Sequence, residues 1–233
     1  VSGTIVQALG AAELRLDPSG AVWWPRHRLL IVADLHLEKG SAFARRGALL
    51  PPYDTHATLA RLEALVARAA PRMIVSLGDA FHDGRAAETL DESAARRLRR
   101  LIGAVRWVWV AGNHDPRPPP GLGGEALPEL VIDGLRLRHL PDGGDDPEIT
   151  GHLHPKARMV GAGRSLTRPC FVGDGRRLVL PAFGAFTGGL NVLDPAIASL
   201  FARGFSAWLL GEARVFEVPH DRLVRDPPGR ARR

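Results

Sequence analysis

Residues 4–9, 13–16 and 21–24 are short runs of apolar residues broken by few polar ones, and read as short strands. Asp17-Pro18-Ser19-Gly20 separates the last two as a turn, which predicts a small antiparallel meander at a sheet edge. The pattern then changes. Leu29-Leu30-Ile31-Val32-Ala33 is apolar without interruption, and 73–77 and 105–110 are nearly so. Continuous runs of this length suit strands covered on both faces, as in a parallel sheet. Between them the period becomes helical. Leu59, Leu62, Leu65 and Val66 share a face over 56–69, after the capping signal Asp54-Thr55 and before Pro71. Leu90, Ala94, Leu98 and Leu101 share another near 88–102, turning Arg96, Arg97, Arg99 and Arg100 largely outward. Strand, helix, strand, helix, strand predicts right-handed crossovers and a parallel sheet.

The second half is strand-rich. A hairpin is expected between 130–132 and 135–139 around Asp133-Gly134. Further strands are expected at 148–150, 170–173, 178–181 and 213–218. Residues 116–124 and 141–147 read as loops, and the apolar, glycine-rich run from Pro181 to Leu190 as a packed loop. The stretch 195–210 predicts a short helix at most. No repeat of solenoid length is present. At 233 residues one domain is expected over 1–225, with a basic, flexible tail at 226–233.

Composition narrows the chemistry. The single cysteine, Cys170, excludes an intrachain disulfide and a thiolate cluster, so any multi-metal site must use carboxylate, imidazole and amide ligands. The formal charge is +6 and nearly all the positive charge is arginine, whose planar fork suits phosphate oxygens. That makes nucleic acid a candidate partner, although an arginine-rich compositional bias would produce the same totals. No apolar run approaches the roughly 20 residues of a membrane helix, and the first residues lack the pattern of a signal peptide. A cytoplasmic protein with no membrane partner is expected.

The chemistry is concentrated where the apolar runs end. The first run delivers Asp34 and His36, the second Asp79, the third Gly112-Asn113-His114-Asp115, and a later one Gly151-His152-Leu153-His154. Open α/β sheets gather function at the carboxyl ends of their strands. With His139 from an alternating strand, the candidate ligands are Asp34, His36, Asp79, Asn113, His139, His152 and His154. Seven ligands exceed a four-coordinate structural zinc site and suit two ions sharing one carboxylate. Asp79 is the best bridging candidate, with Asp34, His36 and His154 on one ion and Asn113, His139 and His152 on the other. His27, His56 and His220 lack comparable neighbours.

These motifs, in this order, resemble the calcineurin-like metallophosphoesterase superfamily: Asp34-Leu35-His36, Gly78-Asp79-Ala80-Phe81, Gly112-Asn113-His114-Asp115, His139 and Gly151-His152-Leu153-His154. The resemblance implies a four-layer α/β/β/α sandwich, a bridging role for Asp79, and a place near the leaving group for His114. Leu35-His36-Leu37-Glu38-Lys39-Gly40, Arg45-Arg46-Gly47, Pro51-x-x-Asp54-Thr55 and Gly78-Asp79-Ala80-Phe81-His82 look like the bacterial branch of ligase-associated DNA damage response endonucleases. His82 departs from the broader pattern, where many relatives carry Asp or Asn, and is expected to support the site through a hydrogen bond.

A binuclear phosphodiesterase acting on DNA follows as the expectation, with His114 donating a proton to the leaving oxygen. Asp115 is expected either to hold the tautomer of His114 or to cap the turn before Pro116. Lys39, Arg45, Arg46 and Arg117 are the expected phosphate contacts. Oxygen-rich ligation favours Mn²⁺, while the imidazoles keep Zn²⁺, Fe and Ni²⁺ open. DNA-repair helicase and ligase proteins are expected partners, and a homo-oligomer would widen a basic groove. The alternatives are a small-molecule phosphodiesterase or phosphomonoesterase, its pocket closed by 116–124 and 141–147, and a metal-dependent repair scaffold.

Overall fold

In the computed structural model, which describes residues 3–40, 54–82, 90–115, 120–161 and 163–227, the chain forms two packed β-sheets flanked by helices. The first sheet runs β1 (Ile5–Leu9), β2 (Ala12–Leu16), β3 (Val22–Trp24), β4 (Leu29–Ala33), β5 (Met73–Leu77), β6 (Arg106–Val110) and β7 (Glu125–Leu127) in spatial order. Its first three strands are the antiparallel meander; β4, β5, β6 and β7 are mutually parallel. Helices α1 (Asp54–Ala69) and α2 (Glu92–Ala104) cover its outer face.

Alternation along each parallel strand explains the layers. In β4, Leu29, Ile31 and Ala33 point into the core between the sheets, while Leu30 and Val32 meet Leu59, Leu62 and Leu98 of the helices. In β6, Val108 and Val110 take the first role and Trp107 and Trp109 the second. Both faces are apolar because both are covered. Arg97 of α2 is less outward than its sequence position suggests. It grips both carboxylate oxygens of Glu63 of α1 through Nε and Nη2, at 2.9 and 2.7 Å.

The second sheet has the order β15 (Val215–Pro219), β14 (Ser206–Leu210), β12 (Arg164–Gly173), β13 (Arg177–Val179), β10 (Glu148–Thr150), β9 (Leu135–Leu137) and β8 (Leu130–Ile132), with β11 (Lys156–Gly161) paired to β12. Phe171, Leu178 and Trp208 face the inter-sheet core. Cys170, Val172, Val179 and Leu209 face outward under Ile197 of the short helix α3 (Pro195–Ala198) and under Phe201 and Phe205. The expected four layers are present, the last one thin. No helix among the described residues is long and apolar enough to cross a membrane.

Several boundaries differ from expectation. Helix α2 begins at Glu92 and not near 88, because Asp91 caps it by accepting the Ala94 N–H. Asp54 and Thr55 clamp the loop after β4 instead of capping α1: Asp54 accepts from Gly40 N at 3.0 Å, and Thr55 Oγ1 from Glu38 N at 2.8 Å. Strands β7, β11 and β14 and the first half of β12 were not anticipated. Glu-Ala-Leu in β7 has no β-branched residue. The ribbon β11–β12 is exposed over residues 164–169, so no face imposes alternation. The basic tail from 228 onward lies outside the described residues.

One ionic contact is buried inside the second sheet. Arg177 and Glu148 are register partners across the parallel pair β10–β13 and form a buried salt bridge. Arg177 also donates to Leu200 O at 2.6 Å and Gly144 O at 3.3 Å, satisfying a charge that burial would otherwise penalise. Arg177→Met should therefore destabilise the fold by about 3–5 kcal/mol by stranding a buried carboxylate. Adding Glu148→Leu should recover much of the loss. Urea unfolding of both variants checks this, and a double variant no more stable than the single one contradicts it.

Candidate metal centre

Strands β4, β5 and β6 of the first sheet and β9 and β10 of the second bring their carboxyl ends together. The β4–β5 ladder continues past the strands as His36 N donates to Asp79 O, Leu37 N to Ala80 O and His82 N to Leu37 O, at 2.9–3.0 Å. From the far side, Phe183 N and Gly184 N donate to Ala33 O and Asp34 O, at 2.8 and 3.0 Å. The backbone of the turn is thus satisfied while its side chains point to one place.

Two clusters result. Asp34, His36 and His154 offer ligand atoms within 4.8 Å of one another, and Asp79, His139 and His152 do the same. Nε2 of His36 lies 3.2 Å from Nε2 of His154, itself 3.3 Å from Asp34 Oδ1. In the second cluster His139 Nε2 lies 3.4 Å from Asp79 Oδ2, 3.2 Å from His152 Nδ1 and 2.8 Å from Asn113 Oδ1. The seven candidate ligands are therefore gathered, six in clusters and Asn113 against one of them.

The donor set fits cations. Asp34 is fully buried, and its Oδ1 has no hydrogen-bond partner although its Oδ2 accepts His152 N at 2.9 Å. A buried, unpaired carboxylate oxygen facing imidazole nitrogens is costly unless a cation completes it. His139 Nδ1 donates to Leu77 O at 3.0 Å, which leaves the Nε2 lone pair of the neutral ring for a metal. Burial and the neighbouring His154 push His36 down to about 2, so it is a neutral imidazole. Burial also lowers His152. His139 moves the other way: burial opposes its charge, but the hydrogen bond to Asp79 and the charge of Asp34 outweigh it and raise its pKa. Asp79 is held well below the ordinary carboxylate range, since bonds from His139 and His114 N overcome the burial penalty. These two clusters match a binuclear divalent-metal site.

Backbone geometry sets the aim. Asp34, His36, Asp79, His152 and His154 all have positive φ, between 42 and 70°. Left-handed backbone is uncommon outside glycine and concentrates at functional sites. The adjacent glycines make room. A Cβ on Gly78 would sit 2.3 Å from His139 Nδ1, one on Gly112 2.3 Å from Asp79 Oδ1, and one on Gly151 2.6 Å from Asp34 Oδ2.

The remaining residues take distinct places. His114 stands outside both clusters, half-exposed, with Nε2 3.9 Å from Asp79 Oδ2 and its ring stacked on His82 at 5.7 Å. Asp115 accepts Phe81 N at 3.0 Å, tying the 112–115 turn to the Asp79 turn; among the described residues no hydrogen bond joins it to the His114 ring. It therefore does not set that tautomer. Burial pushes its carboxyl up to about 7. Lys39 reaches the edge of the site and donates to Phe186 O. Arg45, Arg46 and Arg117 lie outside the described residues. Lys156, two residues after His154, was not singled out from the sequence; that spacing was its signal. Arg138, another omission, lines with Gly112, Asn113 and His139 a cavity of about 200 Å³.

Because His139 holds a proton with Asp79 at raised pKa, a metal must displace that proton. Affinity for a divalent ion should therefore be full above the raised pKa of His139 and fall as pH drops through it. Calorimetric titration from pH 5 to 8 measures this, and a flat affinity contradicts it. Gly78→Ala should weaken metal binding by driving its methyl group into the His139 ring; tighter or equal binding would count against that placement.

The comparisons with known proteins agree with this geometry. A family model described as calcineurin-like phosphoesterase matches residues 27–170. A nuclease from Pseudomonas putida, whose crystal structure is known, is 31% identical with a TM-score of 0.72, over 92% of this chain and all of that one. A 3′,5′-cyclic AMP phosphodiesterase from Pseudomonas aeruginosa is 37% identical over 111 residues, 45% of this chain; the match spans 37% of that relative's length. The chain belongs to the calcineurin-like phosphoesterase family and is a metal-dependent hydrolase.

Proposed function

We propose that this chain is an endonuclease that hydrolyses DNA phosphodiester bonds, in the ligase-associated DNA damage response branch of its family. The observation that carries this reading is the 31% identity to a nuclease along 92% of the chain. The arginine-rich charge of +6 favours it further, since a phosphate backbone is recognised chiefly by cationic side chains. Asp34, His36 and His154 would hold one divalent ion and Asn113, His139 and His152 the other, with Asp79 shared. Mn²⁺ is our first choice because of the carboxylate and amide oxygens, ahead of Zn²⁺, Fe or Ni²⁺. When bound, the ions supply charge stabilisation to the phosphate and an activated water.

The protein's own groups do the rest. Asn113 contributes an amide oxygen without a further negative charge, which keeps the centre attractive to a phosphate. His114, half-exposed and outside both clusters, is free of a ligand role and donates its proton to the leaving oxygen. His82 stacks on its ring and restricts its orientation. Lys39, with Arg45, Arg46 and Arg117 by sequence position, meets the flanking phosphates. A cytoplasmic repair enzyme, with helicase and ligase partners and an interface to a second copy, belongs to the same reading. Cyclic nucleotide hydrolysis is the second reading, favoured by the 37% identity over 111 residues to a cyclic AMP phosphodiesterase.

Metal-stripped protein reloaded with Mn²⁺ and given supercoiled plasmid, cyclic AMP and a chromogenic diester separates the two. Plasmid nicking that disappears in Asp79→Ala supports the nuclease, whereas turnover of cyclic AMP alone moves the substrate to small diesters. Asp79→Ala should also lose binuclear metal content; two bound ions and a normal rate would refute the shared ligand. His114→Ala should keep both ions and slow diesters with poor leaving groups by about 10²–10⁴-fold, sparing nitrophenyl esters. Loss of metal in that variant would make His114 a ligand instead.

A further inference from the structure

The chain contains two lysines among its 31 basic residues, and both end on one short loop beside the metal centre. Lys39 Nζ donates to Phe186 O at 3.1 Å, and Lys156 Nζ to Thr187 O at 3.3 Å. Each lysine follows a ligand of the same cluster, Lys39 three residues after His36 and Lys156 two after His154.

Both ends of the loop press on the ligand turns. Gly184 N donates to Asp34 O, and a Cβ on Gly184 would lie 2.2 Å from Leu35 O. A Cβ on Gly189 would lie 2.1 Å from His154 O. Between these anchors Ala185 N bonds Thr58 Oγ1, and Thr187 Oγ1 bonds Gly184 O, both at 3.0 Å. The loop is therefore held in place, and its apex, two residues from Gly184, lies within about 7 Å of that anchor.

At the apex stands Phe186, with φ of 57° and 58% of its surface exposed. Folding does not account for a phenylalanine there. Glycine or asparagine adopts left-handed backbone with less strain, and an exposed ring adds nothing to the core. An aromatic face held out beside two ammonium groups is what a nucleobase and its phosphates require. Stacking on such a face tolerates any base, while the cations follow the backbone.

We propose that Phe186 stacks on the nucleobase adjoining the scissile phosphate, and that Lys39 and Lys156 draw the flanking phosphate toward the Asp34, His36 and His154 cluster. This rests on the nucleic-acid reading above and deepens it: the enzyme recognises a nucleotide with an accessible base face, not a bare diester. The surface is specific in class and indifferent to sequence.

Two chromogenic esters with one leaving group test it: thymidine 5′-(p-nitrophenyl phosphate), which carries a base, and methyl p-nitrophenyl phosphate, which does not. Phe186→Ala should lower kcat/KM for the thymidine ester between about 5-fold and 150-fold, chiefly through KM. The methyl ester should be unaffected, and Phe186→Trp should restore the thymidine ester. Phe186→Gly should lose the same selectivity while melting at or above the wild-type temperature, because it relieves the left-handed strain. An equal loss on both esters, or no loss on either, overturns the stacking role. Plasmid nicking by the wild-type protein is scored separately; its absence would remove the nuclease reading whatever Phe186 does to the esters.

Discussion

The structure depends on crowding electron-rich atoms that have no reason to meet except a cation. Asp34 Oδ1 is buried without a hydrogen-bond partner, with imidazole nitrogens of His154 at 3.3 Å and, across the boundary between clusters, His139 at 3.8 Å. Such an arrangement loses solvation and gains little among its own members. It is stable only because the surrounding sheets determine its geometry. Four positions at the ends of parallel strands and two after β10 adopt their directions from backbone ladders that run on beyond the strands.

The same constraint explains the small residues nearby. Gly78, Gly112 and Gly151 lie where a methyl group would collide with a ligand side chain, and Gly184 lies where it would collide with the carbonyl of Leu35. Left-handed backbone at five ligands costs on the order of 1–3 kcal/mol each. Burial of both faces of β4, β5 and β6 offsets that strain. A layered core with a tolerant, apolar interior is therefore what permits an intolerant rim.

Chemistry divides along the same line. Asp34, His36, Asp79 and His139 are buried and His152 and His154 partly so, which suits ligands; His114 and Phe186 are exposed, which suits groups that meet substrate. A larger cavity, about 950 Å³, has none of the candidate ligands in its wall and is lined by the 173–177 turn and the segment from Ser199 to Ser206. Cavity size therefore does not mark the reactive face. A small cavity of about 200 Å³ beside Asn113 and His139 adjoins the metal centre.

Much of this was determined by local sequence. Apolar or nearly apolar runs ending in Asp or Asn located β4, β5 and β6, because a strand covered on both faces has few other compositions available, and the Gly-His-x-His turn located β10. The candidate ligands stood out for the same reason: carboxylates and imidazoles at the end of an apolar strand are expensive without a purpose. His139 needed only its place in an alternating strand. Other features were decided by tertiary structure. The exposed ribbon β11–β12 carries no burial pattern, and Glu125-Ala126-Leu127 becomes a strand only because β6 offers a free parallel edge. From sequence Asp115 was open to two roles, partner of His114 or cap of the turn before Pro116, and the folding of the 112–115 turn against Phe81 gave its carboxylate to the Phe81 N–H. Lys156 and Thr187 lie 31 residues apart in sequence and meet only when the loop docks on the turns that carry the candidate ligands. Local pattern thus determined which residues bear the chemistry, whereas long-range contacts, which no spacing rule encodes, decided which of them face one another.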